Sequence, residues 1–312
     1  MLWPKAPKGN ILQSWFYGES KKQADNMDMN YFSIKKENSV VAIVQVLSRN
    51  IPLLGKLYRV NRGPILLGDF NDQESETVLL ESIAVLIKEL KQRRALMIQI
   101  APEINSSEEV KLGLMKIGLK KLASEPWSSG MLDLERSEED ILMSLNGKWR
   151  NCYRKGLKLG VEISNVSNTQ KGIRTLVEKY ATLQSEKDFN GLATNLIEAM
   201  ASKNHDKWNF NIFEAKTKDG GDELGSLVTI NSGNCSIYLI GTTSYEGRKY
   251  QANYVLLWKA IMDSKSKGSS WFDIGGLNNT TPEGVAHFKK GLKAEMYSLT
   301  GEWRGFFLPK IF

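Results

Sequence analysis

Apolar residues recur along the chain in two periods, one typical of buried strands and one typical of helices that pack on a sheet. In the first half, strands are predicted at 40–48, 57–67, 95–102 and 131–135, with helices at about 76–94 and 108–119. The first helix has the clearest signature, because acidic residues crowd its first turn and basic residues end it. Residues 11–22 fit either a helix or a loop.

The second half repeats this order of elements. One long helix is predicted from about 137 to 159, and it would join the two halves. The elements expected after it are a strand at 160–166, helices at about 169–187 and 191–203, three consecutive strands between 209 and 244, a helix at 247–268, a strand at 269–276, a short helix and a terminal strand. A strand–helix–strand order at 57–101 recurs at 235–275, which indicates duplicated α/β units.

The composition is that of a globular protein. The 312 residues are 41% hydrophobic and 25% charged, and this length suits one large domain or two of about 150 residues. No run approaches the roughly 18 apolar residues that a membrane span needs, and the first ten residues lack the apolar core of a signal peptide. We therefore expect a cytoplasmic protein. The sequence has only two cysteines and two histidines, which argues against a disulfide framework and against a Cys/His zinc site.

Positive charge is concentrated in the second half. Residues 1–147 carry 19 basic and 19 acidic side chains, whereas residues 148–312 carry 23 and 16. Arg150, Arg154 and Lys158 would form one stripe on the predicted helix, where like charges repel and an RNA or phosphate backbone would be a suitable partner. A solvated basic face with acidic neighbours is the equally open alternative.

Standard catalytic motifs are absent from the sequence. It has no phosphate loop, no G-x-G-x-x-G, no G-x-S-x-G and no H-E-x-x-H, and a serine or cysteine nucleophile would find few histidines to activate it. Asp273 lies in an apolar strand ahead of Gly275 and Gly276, so it needs a partner if it is buried. Lys289 follows Phe288 and could place an ammonium in a pocket, although an exposed lysine on a short helix is the commoner case.

Several segments together resemble the Fem-type (FemXAB) family of peptidoglycan-bridge aminoacyl transferases. Gln13, Tyr17 and Lys21 resemble the family's Q-x-x-x-W-x-x-x-K element, and the turn that begins at Arg62 resembles its R/K-G-P-V-x-D turn. The basic run before GVEI, then IYLIGTTS, FDIGG and HFKKG, follow in the family's order over nearly the whole chain. Each motif alone has little specificity, but their shared order is fairly specific for the fold.

The resemblance implies an α/β (α+β) fold of two tandem GNAT-like acyltransferase domains. The first would comprise residues 1–140 and the second residues 141–296, with a C-terminal strand at 297–312 that returns to the first. No heptad insert is present, so the chain is similar to the compact members that lack a helical arm.

The resemblance also implies an activity. Family members transfer an amino acid from aminoacyl-tRNA to an amine of a UDP- or lipid-linked peptidoglycan precursor, which would require no further cofactor and no metal and would bring a peripheral membrane contact. The alternative is acyl-CoA-dependent N-acylation of an amino sugar or amino acid for surface polysaccharide, although GRKYQA lacks the paired glycines of the usual pyrophosphate loop. A third hypothesis is a non-catalytic nucleic-acid binder that uses the 148–158 stripe.

Site residues follow from the same resemblance. Lys289 would be catalytic, because it could stabilise the oxyanion that develops in acyl transfer. The tRNA-binding residues would be Arg150, Arg154 and Lys158. The substrate-binding residues would be Lys21 and Lys187 for the diphosphate of the precursor, together with Arg62, Tyr238, Asp273 and Phe288.

The chain departs from the family's pattern at three of its positions. Lys187 stands where the family has an arginine, Ala101 where the family often has an aspartate before Pro102, and Asn253 where the compact members have a proline. These departures bear on the peptidoglycan substrate more than on acyl transfer itself.

Overall fold

The computed structural model describes residues 2–167, 169–189, 191–203, 205–221 and 223–307. Its strands are β1 Asp28–Lys36, β2 Ser39–Ile51, β3 Gly55–Val60, β4 Ile65–Leu66, β5 Ala95–Ile100, β6 Lys120–Lys121, β7 Ser128–Asp133, β8 Val161–Asn165, β9 Asn209–Thr217, β10 Glu223–Ser232, β11 Cys235–Thr243, β12 Trp271–Asp273, β13 Glu295–Ser298 and β14 Trp303–Phe306. Its helices are α1 Trp15–Asp25, α2 Asp72–Gln92, α3 Glu108–Lys116, α4 Glu138–Ser144, α5 Gly147–Lys158, α6 Gln170–Lys187, α7 Thr194–Ala201, α8 Tyr245–Lys249, α9 Ala252–Ser266 and α10 Glu283–Lys290, with 3₁₀ turns at Trp3–Lys5 and Ile11–Gln13.

Two compact units share these elements. The first runs from the N-terminus to Ser128 and takes up the chain again from Tyr297, and the second is Ser129–Met296. The boundary lies at 128/129 instead of near 140, because β7 pairs with β12 and so belongs to the second sheet. Residues 308–312 of the segment expected to return to the first domain lie outside the described residues.

The first sheet has the order β1-β2-β3-β5-β14-β6, with β4 paired to β2. β1, β2 and β3 form an antiparallel meander, β5 lies parallel to β3, and β14 pairs antiparallel with both β5 and β6. Between β4 and β5 runs α2, whose start is fixed by a capping box between Asn71 and Glu74. Its apolar stripe, which includes Leu79, Ile83 and Leu90, is buried in the core of this unit.

The second sheet repeats the pattern in the order β13-β7-β12-β11-β10-β9-β8. β8 to β11 are antiparallel, β12 lies parallel to β11, and β7 pairs antiparallel with β12. The connecting helix α9 is buried along most of its length, which explains why its sequence shows little amphipathic pattern. The predicted pair of α/β units is therefore confirmed.

Four predicted elements are divided in the structure. The strand predicted at 57–67 is β3 and β4, which residues 61–64 separate. The helix predicted at 137–159 is two helices, since Leu145 is extended and the Asn146 side chain caps a new helix by accepting from the backbone N–H of Lys148. The helix predicted at 247–268 breaks at Gln251, whose φ of 58° is left-handed. The predicted terminal strand is β13 and β14, which belong to different sheets.

Two strands were not predicted, β1 and the two-residue β6, and they form opposite edges of the first sheet. Most residues of β1 are exposed or half-buried. Its sequence therefore lacks the apolar alternation from which strands are recognised.

Replacing Trp303 tests whether β14 occupies a core position between β5 and β6 in the first sheet. The side chain is fully buried, so we expect Trp303→Ala to lower the free energy of unfolding by about 3–5 kcal/mol. Phe306→Ala on the same strand is the matched control, because Phe306 is 71% exposed. Urea denaturation of both variants measures the effect, and equal stabilities would contradict a core position for β14.

Candidate functional site

The parallel strands β11 and β12 separate after a short pairing. Their register covers Cys235↔Trp271, Ser236↔Phe272 and Ile237↔Asp273 and then stops. The next residue, Ile274, donates its backbone N–H to Gly130 on β7 (3.0 Å), so the pairing with β7 continues one residue beyond the pairing with β11. A gap beyond the ends of parallel strands exposes backbone groups of both, and such gaps are frequent ligand sites in α/β sheets.

A bulge in β11 lies directly beside this gap. Tyr238 pairs with Thr229 on β10 whereas Ile240 pairs with Val228, so Leu239 is an extra residue without a register partner on β10. Bulges of this kind redirect neighbouring side chains and are common beside active sites. The hydroxyl of Tyr238 occupies the space that a Cβ at Gly241 would need, 1.8 Å away.

Lys289 on α10 extends its ammonium into this gap. Its Nζ donates to the carbonyl oxygen of Gly276 at 3.1 Å and lies 4.6 Å from the ring centroid of Tyr238. The residue is only 5% exposed. An ammonium has three N–H donors, and a single described acceptor leaves capacity for a ligand oxygen.

Burial changes the acidity of both groups. It lowers the pKa of Lys289 from its ordinary 10.5 to about 8, and the attraction of the Asp273 carboxylate opposes this change. Burial also raises the pKa of Tyr238. At neutral pH the gap therefore holds a partly desolvated cation over a neutral phenol, an arrangement suited to stabilising developing negative charge.

Asp273 holds the turn that accepts Lys289. Its carboxylate accepts the backbone N–H of Gly275 at 2.9 Å and the hydroxyl of Ser129, so the partner that its burial demands is supplied by β7 and by its own turn. Gly275 has a φ of 73°, and a Cβ there would lie 2.5 Å from the Tyr238 carbonyl oxygen and 3.2 Å from Lys289 Nζ. A glycine is required at this position by conformation and by space.

Phe288 lies on a different face of α10 and belongs to an aromatic cluster. Its ring stacks on Trp149 of α5 (6.3 Å) and meets Tyr254 of α9 edge-on (5.0 Å). These contacts fix α10 against two other helices and thereby position Lys289. The structure thus assigns Phe288 packing contacts, and its role in substrate binding stays a prediction.

A basic cleft adjoins the cluster. It has a volume of about 230 Å³ and is lined by Asn146, Lys148, Trp149, Tyr254, His287, Lys290 and Gly291. Among the described residues, the indole N–H of Trp149 has no acceptor although the ring is buried. The N-terminus of α5, two exposed lysines and an unsatisfied donor favour an anion here.

The predicted basic stripe extends along the same helix. The Arg150 guanidinium donates to the carbonyl oxygen of Met143, whereas Arg154 and Lys158 are exposed. Within the described parts of the chain, no carboxylate forms an ion pair with any of the three. The alternative in which acidic neighbours neutralise the stripe is therefore not supported.

Arg62, predicted to bind substrate, is committed to an internal ion pair in the first unit. It is buried and bidentate with Glu103, with Nε–Oε2 and Nη2–Oε1 distances of 2.7 and 2.6 Å. Its guanidinium also donates to the Tyr297 hydroxyl (3.0 Å) and lies over the Trp127 ring. Its charge is thus matched by Glu103, which follows the Ala101-Pro102 departure from the family's pattern.

The remaining predicted residues lie apart from Lys289. Lys21 forms an ion pair with Asp25 one turn along α1. Gln13, from the same motif, is structural, since it accepts from Gln45 N–H (2.7 Å) and donates to the Asn61 carbonyl (2.6 Å). Lys187 is exposed at the end of α6. Of the predicted site residues, the structure brings together Lys289, Tyr238 and Asp273.

Three contributors to the site were not foreseen: the Ser129 hydroxyl, the Gly276 carbonyl and the Trp149 indole. The first depends on β7 lying beside β12, and the second on α10 reaching the turn after β12, and no local pattern reveals either contact. Trp149 had a visible signal, because an aromatic residue beside five basic ones marks a helix with one packed and one charged face.

The topology of the two units defines the class of fold to which this protein belongs. Each unit is an antiparallel meander followed by a helix and a parallel strand, as in tandem GNAT-like acyltransferases. A solved tandem GNAT protein from the clavulanic acid biosynthesis pathway has this fold, with a TM-score of 0.56 and 10% identity over 99% of this chain and 94% of that one.

The chain belongs to the FemAB family, whose model matches residues 4–113 and 164–306. It is similar to a lipid II:glycine glycyltransferase of Staphylococcus epidermidis, 20% identical over 90% of this chain and 83% of that protein. The crystal structure of FemX superposes with a TM-score of 0.78 at 18% identity, covering 98% of this chain and 94% of that one. The predicted family is confirmed.

None of the helices that the structure describes is long and apolar enough to cross a membrane. The described residues contain no cluster of three or more His, Cys, Asp or Glu side chains that could hold a metal ion.

The acidity of Lys289 has a measurable consequence for stability. Between pH 8 and 10 the folded chain has released a proton that the unfolded chain still holds, so its free energy of unfolding should rise with pH in this window. Lys289→Met removes this contribution. The free energy of unfolding of Lys289→Met minus that of the unchanged protein should therefore fall by up to about 3 kcal/mol between pH 7 and pH 10.

Urea denaturation at several pH values measures this difference, and Lys290→Met, at the exposed neighbouring position, is the control. If the difference in free energy of unfolding between Lys289→Met and the unchanged protein stays constant with pH, the Lys289 amine titrates normally.

Proposed function

We propose that this protein is an aminoacyltransferase that moves an amino acid from aminoacyl-tRNA to an amine of a lipid-linked cell-wall precursor. The observation that carries the proposal is the Lys289 ammonium, held in the gap between β11 and β12 by one carbonyl and one aromatic face. Because the staphylococcal relative is a lipid II:glycine glycyltransferase, glycine is the first donor amino acid to test and lipid II the first acceptor.

The chemistry demands little of the side chains, because an aminoacyl ester is already activated. The acceptor amine attacks the ester carbonyl carbon, the new C–N bond forms, and the C–O bond to the tRNA ribose breaks. The amine loses a proton, and the leaving ribose oxygen gains one. Lys289 stabilises the oxyanion that forms between these steps, and fixing two substrates together supplies much of the remaining acceleration.

The donor RNA is assigned to the basic face of α5. Arg154 and Lys158 are exposed and Lys148 borders the basic cleft, whose buried indole donor is suited to a phosphate oxygen. Because Trp149 packs on Phe288, the residue before Lys289, this face and the proposed catalytic amine belong to one packed assembly.

The acceptor is the less defined substrate. Three cations were predicted to bind substrate. Lys21 and Arg62 have internal carboxylate partners. Lys187 is exposed and has no ion pair among the described residues. The proposal places the enzyme in the cytoplasm, where it meets its lipid-linked acceptor at the membrane surface.

The acyl-CoA alternative has less support. The segment between β11 and α9, where a glycine-rich pyrophosphate loop would be expected, is the helix α8. Gln251 precedes α9 in a left-handed conformation and provides no side-chain cap.

A product screen by mass spectrometry tests the proposal. Purified protein is mixed with a charged tRNA pool and either lipid II or UDP-linked muramyl pentapeptide, with uncharged tRNA and acetyl-CoA in parallel. We expect a mass gain of one amino-acid residue with charged tRNA alone. Lys289→Ala should reduce turnover by about 10²–10³-fold, and Lys259→Ala, which changes an exposed lysine of α9, should leave it unchanged.

Acetylation with acetyl-CoA and no transfer from charged tRNA would contradict the proposal and favour the acyl-CoA alternative. Near-normal turnover of Lys289→Ala would remove Lys289 from the reaction.

Binding of RNA to α5 can be measured separately. The double variant Arg154→Gln/Lys158→Gln should weaken tRNA binding and reduce the slope of log K against log salt by about 1–2 units. The control Lys171→Gln/Lys259→Gln removes equal charge from exposed positions on α6 and α9. Equal losses in both double variants, measured by filter binding between 50 and 200 mM salt, would indicate non-specific attraction.

A further inference from the structure

The hairpin between β2 and β3 exposes apolar side chains at its tip. Leu53 is 95% exposed, the highest value among the large hydrophobic residues that the structure describes, and Leu54 is 56% exposed. Pro52 beside them is exposed as well. Singly exposed leucines are ordinary, but adjacent ones at the end of a projecting hairpin indicate a surface that something apolar covers.

The tip has a fixed conformation. Leu53 has a φ of 65°, a left-handed conformation that is unfavourable for leucine. It is held there because Arg94 Nη2 donates to the Leu53 carbonyl at 3.2 Å and the Leu54 N–H donates to the Ile51 carbonyl at 3.1 Å. The two leucine side chains are therefore presented outward by a defined turn.

Cations surround the tip. Arg49 on β2, Lys56 on β3 and Arg94 after α2 lie at its base, and no carboxylate among the described residues forms an ion pair with any of them. The sequence from Asn38 to Gly68 contains no acidic residue. The hairpin thus combines a small apolar end with a base of unmatched positive charge.

This combination has one suitable partner. Two leucines and a proline are too small to form a stable protein interface by themselves, which needs several hundred Å² from each side. An anionic bilayer matches both parts, because leucines enter the boundary of the acyl chains while arginine and lysine meet the lipid phosphates.

We propose that the tip at 51–55, with Arg49, Lys56 and Arg94, docks the first unit onto an anionic lipid surface. As a route to a lipid-linked acceptor, this inference rests on the proposed function, whereas docking itself does not. Binding through one short apolar element and a few cations is reversible and sensitive to salt.

Vesicle sedimentation tests the docking. The probe is vesicles of phosphatidylglycerol and phosphatidylcholine, compared with phosphatidylcholine alone. We expect binding to the anionic vesicles only, and a loss of at least about fivefold in the bound fraction for both Leu53→Ser/Leu54→Ser and Arg49→Gln/Lys56→Gln. Leu112→Ser/Met115→Ser, at exposed apolar positions on α3, is the matched control and should bind normally.

Absence of binding to anionic vesicles, or an equal loss in the α3 control, would overturn the proposal. A dimer detected by light scattering and abolished by Leu53→Ser/Leu54→Ser would overturn it too, since the tip would then contact a second copy. Thermal melting checks that each variant is folded. We expect folded variants, because the replaced side chains are exposed or half-buried.

Activity separates this inference from the proposed function. Leu53→Ser/Leu54→Ser should transfer normally to a UDP-linked acceptor in water and more slowly to lipid II in anionic vesicles. Vesicle binding without any transfer would refute the proposed function and retain the docking. Transfer to both acceptors at unchanged rates by this variant would refute the docking and retain the function.

Discussion

The site depends on one constraint, the early separation of β11 from β12. Because their pairing ends at Ile237 and Asp273, the following turn can offer the Gly276 carbonyl to Lys289. Burying an ammonium is unfavourable, and the structure offsets this with that carbonyl, the Tyr238 ring and the nearby Asp273 carboxylate. The packing of Phe288 of α10 on α5 and α9 fixes the helix that carries this amine.

The two units use the same topology differently. In the first, the parallel pair β3 and β5 extends to Val60↔Ile100, and Gly63 N–H donates to the Ala101 carbonyl at 3.0 Å beyond it. The Arg62–Glu103 pair joins the chain just after both strands. In the second unit, Lys289 donates to the Gly276 carbonyl and is attracted by the nearby Asp273 carboxylate, whereas Arg62 in the first unit forms a bidentate ion pair with Glu103. Arg62, which the resemblance in motifs assigned to substrate binding, therefore has its charge matched inside the first unit.

Local patterns predicted most of the fold, and less of the site. The two strand–helix–strand crossovers and the need of Asp273 for a partner followed from periodicity and burial. Helix breaks at Asn146 and Gln251 were missed, because a cap and one left-handed residue outweigh a continuous apolar period. The Arg62–Glu103 pair joins residues 41 positions apart, and the Lys289 ammonium on α10 contacts Tyr238 on β11 and Gly276 after β12. Neither can be deduced from spacing along the chain.

The place of β14 has a consequence for biogenesis. Its Trp303 lies between β5 and β6, so the first sheet is incomplete until residues 303–306 have been synthesised. The second unit is a continuous segment, Ser129–Met296. In most multidomain chains the N-terminal domain folds first as it leaves the ribosome. Here we expect the reverse order, because the second unit is continuous and can fold while the β5 edge of the first is still unpaired and β14 has not yet been synthesised.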